Sequence, residues 1–195
     1  MAAQFESEYE KLHGSSLPNQ ERMRAFLLLF EQFKHYNILK ENFVYMNLFD
    51  ILIGNQDRHG HNWQLLYRQD KVFSSPLYDN GASLGWQLPD ERLKIILTSP
   101  EVMHRLYKNT LLKIGLDNNQ SPKIKVTSIL DYLFTQYPQY SNRFLDKLEA
   151  FDIDYFEEYC SNLPLISETR KKFLVQYISY RQQQIIKKLK GGSAK

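Results

Sequence analysis

Over most of this 195-residue chain, apolar side chains recur every three or four residues, the spacing that gathers them on one helix face. Phe5, Tyr9 and Leu12 mark a short first helix, which Gly14-Ser15-Ser16 breaks. Pro18-Asn19 opens a second, with Met23, Phe26, Leu27, Phe30 and Phe33 as its stripe and an end near Tyr36-Asn37. A third is expected from about Lys40 to Leu52, with Phe43, Met46, Asn47, Asp50 and Ile51 at helical spacing, and it delivers the chain into a polar loop at Gly54. There the period changes. Trp63 to Tyr67 and Val72 to Ser74 read as short strands joined by Arg68-Gln69-Asp70-Lys71, and Pro76 begins a turn. The stretch from Gly85 to Pro100 reads as loop. Helices are expected again over Glu101–Ile114, Lys125–Gln136, Asn142–Glu149, Asp154–Tyr159 and Ser167–Lys190. The last has the clearest face: Phe173, Leu174, Tyr177, Ile178, Arg181, Ile185 and Leu189, with Ser167 as N-cap and Gly191-Gly192-Ser193 as its stop.

With no internal repeat and no linker, the pattern implies one domain over residues 1–190 and a flexible tail over 191–195. Composition narrows the class. Abundant Tyr and Phe argue against disorder. The single Cys160 excludes an internal disulfide framework, suits a reducing compartment and reads as a small buried side chain. The N-terminus has no signal-peptide pattern, and Phe26 to Phe30 is too short to span a bilayer, so a soluble cytoplasmic protein with no membrane partner is expected. Net charge is +3, but from Arg170 onward there are eight basic residues and no acidic one, so the remainder is net acidic. Basic groups are favoured near a helix C-terminus, and a nucleic-acid partner is the lesser reading of this run.

The candidate chemistry lies in the loop. Ile53 to Asn62 reads Ile-Gly-Asn-Gln-Asp-Arg-His-Gly-His-Asn, and Pro76 to Ser83 reads Pro-Leu-Tyr-Asp-Asn-Gly-Ala-Ser. Phosphoryl transfer from ATP needs a carboxylate near the attacking hydroxyl, and an amide oxygen and a second carboxylate for magnesium. Asp57, Asn62 and Asp79 supply that set in that order.

The two segments together resemble the HipA-type serine/threonine kinases, a group that includes bacterial toxin kinases; Asp57-Arg58-His59-x-x-Asn62 is also similar to the catalytic loop of phosphoinositide kinases. The resemblance is sharp over Glu41 to Gly85 and looser beyond. It implies a mainly α (α+β) fold, the helical C-lobe of a kinase-like fold with a small β-hairpin beside the catalytic loop. It also implies Asp57 as catalytic base, Asn62 and Asp79 as Mg2+ ligands, ATP as phosphoryl donor, a protein Ser/Thr as acceptor, and an antitoxin-like protein or an N-lobe as partner. Two departures stand out. His61 occupies the place next to the metal Asn where the toxins often carry Lys, and the 56 residues before Asp57 read helical, with no glycine-rich phosphate loop or strand-borne Lys.

Other residues carry paired readings. Asn55 is a candidate to orient Asp57, and Arg58 either contacts phosphate or forms a surface salt bridge. His59 packs under the loop or, with Asp57 and His61, ligates a metal; His61 is exposed or contacts phosphate. Gly81 is expected to supply a backbone angle that other residues resist, Ser83 has no base to make it a nucleophile, and Trp63 and Trp86 read as core anchors. The leading expectation is a protein kinase completed by an N-lobe from elsewhere. The alternatives are a catalytically inactive, kinase-derived module acting through protein contacts and a phosphoinositide kinase fragment.

Overall fold

The computed structural model describes residues 36–58, 62, 64–69, 71–113 and 123–192. The two helices expected before residue 36 lie outside the described residues, as do His59, His61 and Trp63. Helix α1 is described over Tyr36–Ile53, so Tyr36-Asn37, expected to end a helix, lie within one. Val44, Leu48 and Ile51 are fully buried along it. An antiparallel hairpin follows: β1 (Leu65–Arg68) pairs with β2 (Lys71–Ser74), with Leu65 opposite Ser74.

The region read as loop contains a helix. α2 spans Asp90–Thr98, with Asp90 and Glu91 in its first turn, where the helix dipole favours acids. Only Leu93 and Ile96 are buried on it, too few to leave a readable stripe. Then α3 (Pro100–Lys108) starts on Ser99, whose hydroxyl accepts from the Val102 N–H at 3.4 Å. The expected helix to Ile114 stops short. Asn109 caps α3, and Leu111–Leu112 (β3) pairs antiparallel with Ile124–Lys125 (β4), burying Leu112 and Ile124 together. A bridge partner twelve residues away leaves no local periodicity.

α4 (Val126–Gln136) agrees with its expectation, and α5 (Pro138–Glu149) begins four residues early because Pro138 occupies a first-turn position that needs no N–H donor. α6 spans Ile153–Ser161 and ends with Cys160 buried. α7 (Glu168–Gly192) passes the expected stop, so Gly191 and Gly192 belong to the helix. The Ser167 hydroxyl accepts from the Arg170 N–H at 3.1 Å, as an N-cap does. α7 packs against α1, α2, α3, α5 and α6, and its stripe of Phe173, Tyr177, Ile178, Ile185 and Leu189 closes the core. No described helix is long and apolar enough to cross a membrane.

The basic run is largely spent inside the molecule. Lys188 pairs with Asp131 and Lys190 with Glu149, both at 2.7 Å, and Arg170 donates to the carbonyls of Gly85 and Leu88. Arg181 is 1% exposed. It donates to the Ile51 carbonyl at 2.6 Å and to the Thr110 hydroxyl, and its guanidinium lies over the rings of Tyr177 (4.5 Å) and Tyr107 (5.3 Å). Burial lowers its pKa from the usual range, while the two tyrosines act in the opposite sense. It thus supplies positive charge at the carbonyl end of α1.

Gly54 sits where this clamp closes. Its φ is +67°, and a Cβ there would overlap the Tyr177 hydroxyl and come within 3.0 Å of Arg181 Nη2. Gly81, expected to need glycine, has no positive φ and open space around it. Gly54→Ala should therefore cost about 2–4 kcal/mol in urea unfolding, from left-handed strain plus overpacking. Gly81→Ala should stay within about 0.5 kcal/mol of the parent. Equal losses would contradict this assignment.

Candidate active site

The site is built on the carbonyl end of α1. The Asn55 N–H bonds to the Asp50 carbonyl at 2.9 Å across a left-handed Gly54, a Schellman-type helix end. The loop then lies beside the second segment: Gln56 N–H donates to the Ala82 carbonyl (3.2 Å), and Leu84 N–H to the Ile53 carbonyl (2.8 Å). In this way residues 53–56 and 82–84 are joined by backbone alone.

Arg58 ties the rest together. Its Nε and Nη2 donate to the two oxygens of Asp50 at 2.9 and 2.8 Å, a buried bidentate pair with side chains 6% and 0% exposed. Nη1 donates to the carbonyls of Asn62 (3.0 Å) and Tyr78 (2.7 Å), and Nη2 also to Asn80 Oδ1 (2.5 Å). A guanidinium has five N–H groups, and these five bonds use them all. Both Arg58 readings from sequence are thereby overturned: it has no donor left for phosphate, and its salt bridge is buried. Burial pushes the Asp50 carboxyl pKa up, opposed by the bonds from Arg58 and Asn55, whose Nδ2 donates to Asp50 Oδ1 at 3.1 Å.

The three candidate residues hang on this frame. Asp57 N–H donates to Asn55 Oδ1 (3.1 Å), and its carbonyl accepts from Asn62 Nδ2 (3.1 Å). Asn55 therefore orients Asp57 through the backbone. The Asp57 carboxylate is 45% exposed and paired with Lys113 Nζ. Asn62 is buried, with its Nδ2 given to the Asp57 carbonyl. Asp79 is exposed, with φ +53°, and lies between Tyr78 and Asn80, both held by Arg58. The left-handed residue of this turn is Asp79 rather than Gly81, and local strain of this kind persists where surrounding bonds enforce it. The Ser83 hydroxyl donates to the Asn80 carbonyl (2.6 Å), closing the turn. Trp86, expected in the core, is 59% exposed.

Among the described residues, no three His, Cys, Asp or Glu side chains converge, so the described part offers no complete protein cage for a metal. One amide oxygen and one carboxylate suit magnesium that takes its other ligands from phosphate and water. His59 and His61 lie outside the described residues, so their metal and phosphate readings stand as expectations. Sequence reading missed Lys113, which reaches Asp57 from just after β3 across 56 positions and carries no motif. It also passed over Asp50 as anything but a helix position.

No protein-family model matches the chain. It is 27% identical over 159 residues to the serine/threonine-protein kinase CtkA of Helicobacter pylori strain J99, an alignment covering 80% of this chain and 48% of that protein. The crystal structure of the Helicobacter pylori proinflammatory kinase CtkA superposes with a TM-score of 0.72 at 25% identity, over 86% of this chain and 58% of that one. The chain is similar in sequence and in fold to a serine/threonine kinase. It spans about half the length of the kinase it matches. The mostly helical architecture with small antiparallel hairpins is the kinase-like fold expected from the loop.

Asp50→Asn should cost about 3–5 kcal/mol in chemical denaturation, because it strands the buried Arg58 charge. Lys113→Ala, which breaks an exposed pair, should cost less than about 1 kcal/mol. If the two losses are equal, Asp50 is not the anchor described here.

Proposed function

We propose that this chain forms the acceptor- and metal-holding part of an ATP- and magnesium-dependent protein serine/threonine kinase of HipA-like type. The observation that carries this reading is the Arg58 frame, which fixes Asp57, the Asn62 carbonyl and both neighbours of Asp79 relative to one another. The similarity to a serine/threonine kinase supports it independently.

In this reading the Asp57 carboxylate accepts a hydrogen bond from the acceptor Ser or Thr hydroxyl and takes its proton as the hydroxyl oxygen bonds to the γ-phosphorus and ADP leaves. Asn62 and Asp79 hold the magnesium, which when bound neutralises the phosphates. Lys113 pairs with the Asp57 carboxylate and brings a positive charge to the point of transfer. An apolar recess of about 310 Å3 lies between α1, the hairpin and α5, lined by Phe43, Met46, Phe49, Leu65 and Leu77. Its lining residues Gln64 and Leu77 stand two positions from Asn62 and Asp79, a placement that suits a purine with its phosphates directed at the metal residues. The lid over those phosphates comes from an N-lobe outside the described residues, on the same or another polypeptide, and an antitoxin-like protein is the regulatory partner the resemblance implies.

A second reading is an inactive kinase-derived binding module that acts through protein contacts. Calorimetry with ATP and magnesium separates the two: saturable, magnesium-dependent binding lost in Asp79→Asn is expected of the kinase, and none at millimolar nucleotide of the module. With an N-lobe present, Asp57→Asn should keep nucleotide binding and lose transfer by about 10²–10⁴-fold. Lys113→Ala should lose about 10²-fold in turnover. Transfer by Asp57→Asn at the parent rate would rule out this mechanism.

A further inference from the structure

We propose that a cleft beside the catalytic loop is a subsite for an anionic side chain, carboxylate or phosphoryl, flanking the acceptor residue of the protein substrate; this rests on the kinase reading above. The cleft holds about 510 Å3 and opens between Gln56, the turn over Ala82–Leu88, and helices α2 and α3. Gln56 is bonded to Ala82 and adjoins Asp57, so the cleft begins one residue from the candidate base.

Its charge is one-sided. Arg92 of α2 and Arg105 of α3 line it from two different helices, both exposed and neither in an ion pair with a described residue. Among the described residues, no Asp or Glu lines it. The nearest acid on α3, Glu101, lies one turn before Arg105, which helps to hold its pKa low after its own backbone N–H and Ser99, whose hydroxyl donates to it at 2.9 Å. Gln87, Asn109 and Thr110 add neutral polar groups.

The wall behind the cleft adds a third cation. Gly54, Thr110 and Tyr177 line it, and Arg181 lies directly behind all three. That guanidinium is fully enclosed, its Nε has no hydrogen-bond partner, and no described carboxylate neutralises it. One carbonyl, the hydroxyls of Thr110 and Tyr177 and two ring faces surround this charge, neutral partners that compensate only part of it. An anion in the cleft would face two solvent-exposed guanidinium groups able to bind it bidentately, over a wall that carries unneutralised positive charge. Exposed Trp86 stands at the rim, placed to cover the peptide beside that anion.

The test uses three fluorescein-labelled peptides with one Ser, flanked by Glu, by phosphoserine, or by Gln, in anisotropy titrations without nucleotide. The parent should bind the Glu or phosphoserine peptide at least about 10-fold more tightly than the Gln peptide, and the tighter of the two names the anion. Arg92→Gln/Arg105→Gln, two exposed changes whose fold is checked by circular dichroism, should erase the preference, and Asp57→Asn should keep it. Equal affinity for all three peptides in the parent, or a preference that survives in the double variant, would overturn the subsite. Failure of the kinase reading has a different signature: the anionic preference and its loss in the double variant, with no transfer even when an N-lobe is supplied.

Discussion

Everything about this site depends on the buried pair between Asp50 and Arg58. Removing two charges from water is expensive, and a well-packed apolar pair would often serve stability as well or better. The pair does what an apolar contact cannot. One rigid guanidinium fork takes an anchor on a helix and then meets three oxygen acceptors on two other segments. Lys, with a point charge on a flexible stem, would satisfy neither the geometry nor the number of acceptors. The cost of burial is offset by positioning: Asp57, Asn62 and Asp79 lie on loops, yet they are referred back to a helix core.

A second arginine works on the same helix end from the opposite side. Arg181 reaches the Ile51 carbonyl from α7, while Arg58 reaches the Asp50 carboxylate from the loop. Between them passes Gly54, with no room for a side chain. The carbonyl end of α1 is thus fixed by one contact from distant α7 and one from within the loop that follows it, and functional loops gain precision from such supports. Lys113 differs in kind. Its bond to Asp57 is exposed, the kind of pair that adds little stability.

The similarity to a serine/threonine kinase and the geometry of the loop are separate observations. The first comes from alignment over most of the chain, the second from which atoms Arg58 holds. The described part offers two exposed carboxylates, a buried amide and a cation, the groups that the proposed kinase reading assigns to an acceptor and a metal.

The residues by themselves singled out the candidate chemistry and most of the described helices. Asp57, Asn62 and Asp79 stood out as candidates because their types and spacing are local properties, and the stripe of α7 was legible because a long amphipathic helix repeats its signal over many turns. Only the tertiary structure decided the rest. Arg58 read as a phosphate or surface group until Asp50, Tyr78 and Asn80 closed around it; Trp86 read as core but stands exposed; the strand pair of Leu112 and Ile124 and the contact of Lys113 with Asp57 join distant positions. Periodicity reports which face of a segment is apolar. It cannot report which distant group fills that face or satisfies a polar atom, because packing makes that choice among all segments at once.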